Sequence, residues 1–289
     1  MNLPLAFQLG ALIQDAYAGF KSGLSDYKGQ QYHGYTVIQT IYANNLATDL
    51  SVKFDPLVDI VPMGFVAYNT ATPSAVVIVM RGTEGIWQWI QDAKILPIPF
   101  SAIPGTGLTE DGFTDMYMSL RIAPDPNSPR LVDALEGLLG DGDINLTICG
   151  HSLGSALVTL LALEVAVKTR FKQPTLYTFA SPRVGDPHFA SYFNVAVPNC
   201  YRIANRMDIV THVATPPLYI HVGDETELNP GSNIADSLLC MHDMATYLFM
   251  LSSGAIALSP SCMKPVAAPA PPQAGGLIAE VAVVIEKVV

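Results

Sequence analysis

Ile144-Asn145-Leu146-Thr147-Ile148-Cys149-Gly150-His151-Ser152-Leu153-Gly154 is the stretch on which the reading of this chain turns. Ile144 to Cys149 is short, apolar and partly β-branched, as a buried strand should be. Leu153 to Lys168 runs through Ala, Leu and Val with no Gly or Pro after Gly154, as a helix should. Between them lies a Gly-x-Ser-x-Gly pattern. A serine on a sharp strand-to-helix turn needs neighbours without bulk where backbones cross closely, and Gly150 and Gly154 supply that room. The bare pattern arises by accident in about one chain in ten of this length; its strand–turn–helix setting does not. Ser152 is therefore a candidate nucleophile. The helix that begins beside it directs backbone N–H groups toward any negative charge developing there.

Working outward, strand-like segments recur at Thr36 to Tyr42, Met63 to Tyr68, Ser74 to Met80, Thr175 to Phe179 and Cys200 to Ala204. Helices are predicted near Asp111 to Ile122, Ser128 to Leu139, Leu153 to Thr169, Pro187 to Phe193 and Ile234 to Leu251. An amphipathic helix opens the chain over residues 3 to 20. Strands alternating with helices predict an α/β fold, with a mainly parallel sheet covered on both faces. The composition changes after Leu251. Ser252 to Gly276 is rich in Ser, Ala, Pro and Gly, and Leu277 to Val289 is apolar with interspersed charges. The expected organisation is one catalytic domain over 1–251 with an extension over 252–289.

The chain has 289 residues, half of them hydrophobic, and a formal net charge of −10. That is enough to bury a substantial core. The negative charge and the lack of Lys/Arg clusters argue against nucleic acid as a partner. No uncharged apolar run approaches the 18 or more residues of a membrane span, so a soluble protein is expected. The first ten residues lack the basic region of a secretory signal and read better as helix, which leaves localisation open. Cys149, Cys200, Cys240 and Cys262 show no Cys-x-x-Cys spacing, so a zinc cluster is not expected. A Cys240–Cys262 bridge is compatible with the sequence but is not assigned by spacing.

A serine hydroxyl needs a base to take its proton, and the base needs an acid to hold its tautomer and stabilise its charged form. On a sheet of this kind the chain order is Ser, Asp or Glu, His. His242 lies late in the domain, at the start of a helix-like run. Its competitors are His188, His212 and His221; Tyr219 to Val222 alternates like a strand, so His221 reads as a structural histidine. Asp208 closes the strand-like run from Cys200 and would emerge at the carboxyl edge of the sheet, where such sites form. Asp186, Asp224, Asp236 and Asp243 are the other acids in range. An oxyanion hole is also required. Arg81-Gly82-Thr83-Glu84 follows the apolar run Val76 to Met80, so Thr83 and the N–H of Leu153 are the candidate donors. Glu84 and Asp92 are candidates for hydrogen bonds around that loop.

Taken in order, Arg81-Gly82-Thr83, Trp89-Ile90-Gln91-Asp92, Gly112-Phe113 with Tyr117, Gly150 to Gly154, Ser181-Pro182-Arg183-Val184-Gly185-Asp186, Asn205-Arg206-Met207-Asp208 and His242 with Tyr247 resemble the class 3, or fungal-type, triacylglycerol lipase family. The resemblance spans about residues 60 to 250. It implies an α/β-hydrolase core and carboxylic ester hydrolysis without metal or organic cofactor. It maps Ser152 as nucleophile, Asp208 as acid, His242 as base, and Thr83 with Leu153 as oxyanion donors. Three positions depart from the family pattern. Ser155 follows Gly154 where the family usually has a second Gly, Asp111 precedes Gly112-Phe113 where a His is frequent, and Cys149 occupies a place usually small or aliphatic.

The resemblance also implies a lid after the oxyanion residue, at about 85–105. Both tryptophans, Trp87 and Trp89, lie there. A short helix with an apolar underside would cover the site, exposing Trp87, Ile90, Ile95, Leu96 and Phe100 to acyl chains when it opens. The expected substrate is an acylglycerol or another lipid ester at an oil–water interface. Phospholipase A1 or feruloyl-type esterase activity is the alternative within the family, and a non-catalytic lipid-binding module is the alternative outside it. The apolar composition leaves homodimerisation open.

Overall fold

The structure is a computed structural model that describes residues 1–44, 60–83, 85 and 96–264. Eight strands form its main sheet, in the order β1-β2-β3-β4-β7-β8-β9-β10. β1 (Gln31–Tyr32), β2 (Tyr35–Asn44), β3 (Ile60–Asn69) and β4 (Ala75–Met80) pair antiparallel. From β4 onward the sheet is parallel, through β7 (Asn145–His151), β8 (Thr175–Phe179), β9 (Cys200–Asn205) and β10 (Asp224–Leu228). β5 (Pro97–Pro99) and β6 (Leu108–Glu110) form a separate antiparallel pair.

The central strands are apolar at consecutive positions because both of their faces are buried. In β4, Val76, Ile78 and Met80 enter one core, while Val77 and Val79 enter the other. In β7, Leu146 and Ile148 join the first and Cys149 the second. The second core is closed by α1 (Leu3–Lys21), which lies across the sheet beside α7 (Met244–Leu251). The first is closed by α2 (Asp111–Met118), α3 (Leu131–Leu139), α4 (Leu153–Lys168) and α5 (Pro187–Ala196). This is the expected mostly parallel sheet with helices on both faces.

Helix α4 is buried all round from Leu153 to Ala166 and therefore carries no amphipathic stripe. Its single buried charge, Glu164, accepts hydrogen bonds from Arg130 at 2.8 and 3.1 Å, from Lys168 at 2.9 Å and from the Tyr117 hydroxyl. Burial works against its ionisation, but these partners prevail and hold the carboxyl below its ordinary range. Three helices are thereby fastened at one point.

Two local expectations require correction. The helix read over Ile234 to Leu251 breaks into α6 (Leu238–His242) and α7, because Asp243 is extended and caps the second helix by accepting the Ala245 N–H. Tyr219 to Val222 is not a strand; the edge strand is the polar Asp224–Leu228, one position further on in the topology. The segment after Leu251 stays on the domain through Lys264. Cys240 and Cys262 form a disulfide, Lys264 pairs with Asp236 at 2.9 Å, and Leu258 joins Ile234, Cys240, Met241 and Cys262 in a small core. Residues 265–289 lie outside the described residues.

Candidate active site

β7 ends at His151 and α4 starts at Leu153, so Ser152 is the single residue of the turn between them. Its φ of 58° and ψ of −127° lie where a side-chain-bearing residue is strained. The surroundings enforce this conformation. A Cβ on Gly150 would sit 2.6 Å from the Gly154 carbonyl oxygen, and one on Gly154 would sit 2.7 Å from the Met80 oxygen and closer still to that of Arg81. Ser155, where the family pattern has Gly, fits: its hydroxyl donates to the Gly150 carbonyl at 2.7 Å.

The Ser152 hydroxyl lies 2.8 Å from His242 Nε2, and His242 Nδ1 lies 2.8 Å from Asp208 Oδ2. The geometry assigns the hydrogens: a carboxylate only accepts, so Nδ1 carries the proton and Nε2 accepts from the Ser152 hydroxyl. Asp208 follows β9 and caps the 3₁₀ turn Ile209–His212, where its Oδ1 accepts the Val210 N–H at 3.0 Å. Its Oδ2 also accepts from the Tyr247 hydroxyl at 2.8 Å. Tyr247 in turn accepts the Asn205 N–H at 3.0 Å, and Asn205 Nδ2 donates to the Met241 carbonyl at 2.8 Å. The strand carrying the acid and the helix carrying the imidazole are thus tied to each other on both sides of the pair.

The competing residues have other partners. His221 accepts burial as a structural residue, with Nε2 2.8 Å from the Thr211 carbonyl; burial, reinforced by Arg202, lowers it to about 3. His188 is 3.1 Å from the Gly105 carbonyl, and His212 turns toward Thr211 and the Asp208 backbone. Asp186 caps α5, Asp243 caps α7 and Asp236 pairs with Lys264.

The loop after β4 passes directly over the nucleophile: a Cβ on Gly82 would lie 2.8 Å from Ser152 Cβ. Arg81 holds this loop by donating to the Pro62 carbonyl at 2.8 Å and the Gly82 carbonyl at 2.7 Å, with its guanidinium 3.5 Å from the Phe20 ring centre. Thr83 is half-buried next to it, and its hydroxyl accepts the Gly85 N–H at 3.1 Å. Leu153 is the first residue of α4, so its N–H has no carbonyl partner within the helix.

The lid expectation divides. Trp87, Ile90, Ile95, Glu84 and Asp92 lie outside the described residues. Leu96 is 52% exposed. Phe100 is not an exposable lid residue: it is buried in the main core between Tyr117 and Phe189, with ring centres 5.9 Å from each. Residues 97–99 form strand β5 rather than helix, because Pro97 and Pro99 flank a residue that pairs with Thr109. Tyr17, His151, Asn205 and Tyr247 hold the site together, yet no role is assigned to them from sequence. Asn205 and Tyr247 stand inside motifs already singled out; Tyr17 is on the first helix, far from any of them.

Residues 77–217 match the family model described as lipase (class 3). A lipase of Rhizomucor miehei is 32% identical over 155 residues, covering 51% of this chain and 40% of the relative. Phospholipase A1-II 1 of Oryza sativa subsp. indica is 29% identical over 212 residues, covering 64% of this chain and 53% of the relative. The chain thus spans about half the length of the curated relatives it matches. Among solved structures, a Rhizomucor miehei lipase–propeptide complex superposes with a TM-score of 0.60 at 25% identity, over 78% of this chain and 67% of that one. The lipase of Rhizopus microsporus var. chinensis shares the fold with a TM-score of 0.59 at 21% identity, over 78% and 74%. Residues 77–217 carry the class 3 lipase pattern, and the strand–serine–helix turn and mostly parallel sheet agree with it.

Proposed function

We propose that this protein is a serine carboxylic-ester hydrolase acting on lipid esters, with triacylglycerols as the leading substrate class. The observation that carries this reading is the unbroken Ser152–His242–Asp208 hydrogen-bond chain anchored on a strained turn. In the proposed reaction Ser152 Oγ attacks the ester carbonyl as its proton passes to His242 Nε2. Asp208 stabilises the imidazolium and keeps the proton on Nδ1. The carbonyl oxygen becomes an oxyanion held by the N–H groups of Thr83 and Leu153, with the Thr83 hydroxyl beside it. Collapse expels the alcohol, which takes the proton from His242, and leaves an acyl ester on Ser152. Water then attacks that ester by the same route, releasing the carboxylic acid and restoring Ser152.

Lipid is favoured over soluble esters by the surroundings of the triad. Ser152 has no exposed surface, so an ester reaches it only after something moves. Met207, Ile209, Leu238 and Leu239 are 45–65% exposed although large and apolar. They flank Asp208 and His242 on two elements that touch each other. The plant phospholipase A1 relatives favour a second reading, in which the acyl ester cleaved belongs to a phospholipid.

The test is hydrolysis of a short soluble ester, emulsified triacylglycerol and phosphatidylcholine vesicles by the wild-type protein and by Ser152→Ala. Triacylglycerol turnover that rises above the solubility limit and disappears in the variant is expected. Faster turnover of the vesicles selects the phospholipase reading. Residual wild-type rates in Ser152→Ala would overturn both.

A further inference from the structure

The residue between Gly150 and the nucleophile is fully enclosed and bonded at both ring nitrogens. His151 Nε2 lies 2.9 Å from the backbone carbonyl of His242, and its Nδ1 lies 2.8 Å from the Tyr17 hydroxyl. That hydroxyl also receives the Gly82 N–H at 2.7 Å. A carbonyl accepts only, so Nε2 must carry hydrogen. With Nδ1 bare, the Tyr17 O–H donates to it. Each partner has one compatible role, and the hydrogen-bond directions run from Gly82 through Tyr17 and His151 to His242.

We propose that Tyr17 and His151 are positioning residues that lock the base-bearing backbone and the oxyanion loop into one register about Ser152. The proposal rests on the ester-hydrolase reading above for its meaning, but its geometry is independent of substrate. Three features support it. The His242 carbonyl stands at the end of α6, where Asp243 turns away from helix, and there it meets His151 Nε2. Gly82 has no space for a side chain: a Cβ there would lie 2.5 Å from the Tyr17 hydroxyl as well as against Ser152. Burial holds the His151 imidazole well below its ordinary range, with the adjacent His242 ring adding to the fall, and so leaves it neutral with one bare nitrogen. The two imidazole centres are 4.8 Å apart, so a second cation there would oppose formation of the His242 imidazolium during acylation.

The relay reaches three elements remote in sequence: α1, the loop after β4, and the α6–α7 junction. Removing the Tyr17 hydroxyl strands the Gly82 N–H and frees His151 to take the other tautomer, in which bare Nε2 would face the His242 carbonyl. The His242 ring and the oxyanion loop should then drift relative to Ser152 while the fold persists.

The experiment compares wild type, Tyr17→Phe, His151→Gln and His151→Leu in the full chain. It reads kcat and KM on a short soluble ester, thermal melting, and the low-field proton resonance of His242 Nδ1–H. Tyr17→Phe is expected to lower kcat by up to about 100-fold at nearly constant KM and to broaden or shift the resonance, with melting little changed. Gln can accept from Tyr17 and donate to the His242 carbonyl through one amide, so His151→Gln should retain more kcat and a sharper resonance than His151→Leu. A folded Tyr17→Phe with wild-type kcat and resonance would overturn the proposal. If Tyr17→Phe does not fold, equal kcat and equal resonances in the Gln and Leu variants would do so. Should the wild-type protein hydrolyse no ester, the functional reading fails, while the resonance still decides the relay.

Discussion

Asp208 receives the His242 Nδ1–H, the Tyr247 hydroxyl and the Val210 N–H, so its charge is both satisfied and aimed. Asp208→Asn should preserve the shape but let the amide donate where the carboxylate accepted, turning the imidazole to the wrong tautomer. A kcat loss of about ten-thousand-fold with a retained fold is expected, the scale found for the same change in a serine-protease triad; steady-state kinetics with circular dichroism check it. At Gly154 the constraint is steric. Gly154→Ala pushes a methyl into the Met80 and Arg81 carbonyls, so a stability loss of about 1–3 kcal/mol by denaturant titration and a sharp fall in activity should accompany each other. Ser152, Asp208 and His242 could be singled out from sequence because serine, acid and histidine follow a fixed chain order on such a sheet, with Ser152 and Asp208 coming just after strand-like runs. Tyr17 could not, because its contacts to Gly82 and His151 span 65 and 134 positions and leave no local pattern.

At the scale of elements, the buried strand β4 was legible as an unbroken apolar run and β7, β8 and β9 as short, largely apolar or β-branched segments, with observed ends within two residues of those expected. β10 was not, since its Asp-Glu-Thr-Glu-Leu sequence is that of a charged sheet edge, where exposure to water removes the apolar signal. The break at Asp243 was hidden within a continuous helical pattern, and it is what brings His242 to the end of a helix. The β6–α2 junction carries a pH-dependent strain. Burial raises the Glu110 carboxyl to about 7 against hydrogen bonds from Phe113 and Gly112, with Asp111 and Asp115 adding to the rise. Between pH 4.5 and about 7 the folded chain retains a proton that the unfolded chain has released, so stability falls as pH rises through that window. Glu110→Gln keeps an acceptor for the Phe113 N–H at 2.7 Å and should flatten this slope in melting curves taken from pH 4.5 to 8.

Across the whole molecule, the sheet carries Ser152, Asp208 and Thr83 beyond the carboxyl ends of its strands, helix α6 brings His242 to them, and the cores on opposite faces fix their spacing. No helix among the described residues is long and apolar enough to cross a membrane. Under the proposed function, the apolar residues exposed beside the triad are the contact with a lipid surface. Leu239→Asp, at a position 65% exposed, should leave the soluble-ester rate within about twofold and reduce turnover of emulsified substrate severalfold by weakening adsorption; paired assays on the two substrates check this. The central claim is that Ser152 is the activated nucleophile of this assembly. The most direct measurement is reaction with a p-nitrophenyl alkylphosphonate in detergent, followed by intact mass and peptide mapping. One covalent adduct on Ser152, absent from Ser152→Ala and strongly slowed in His242→Ala, is the expected result. An unlabelled folded protein, or an adduct that persists in Ser152→Ala, would contradict the account.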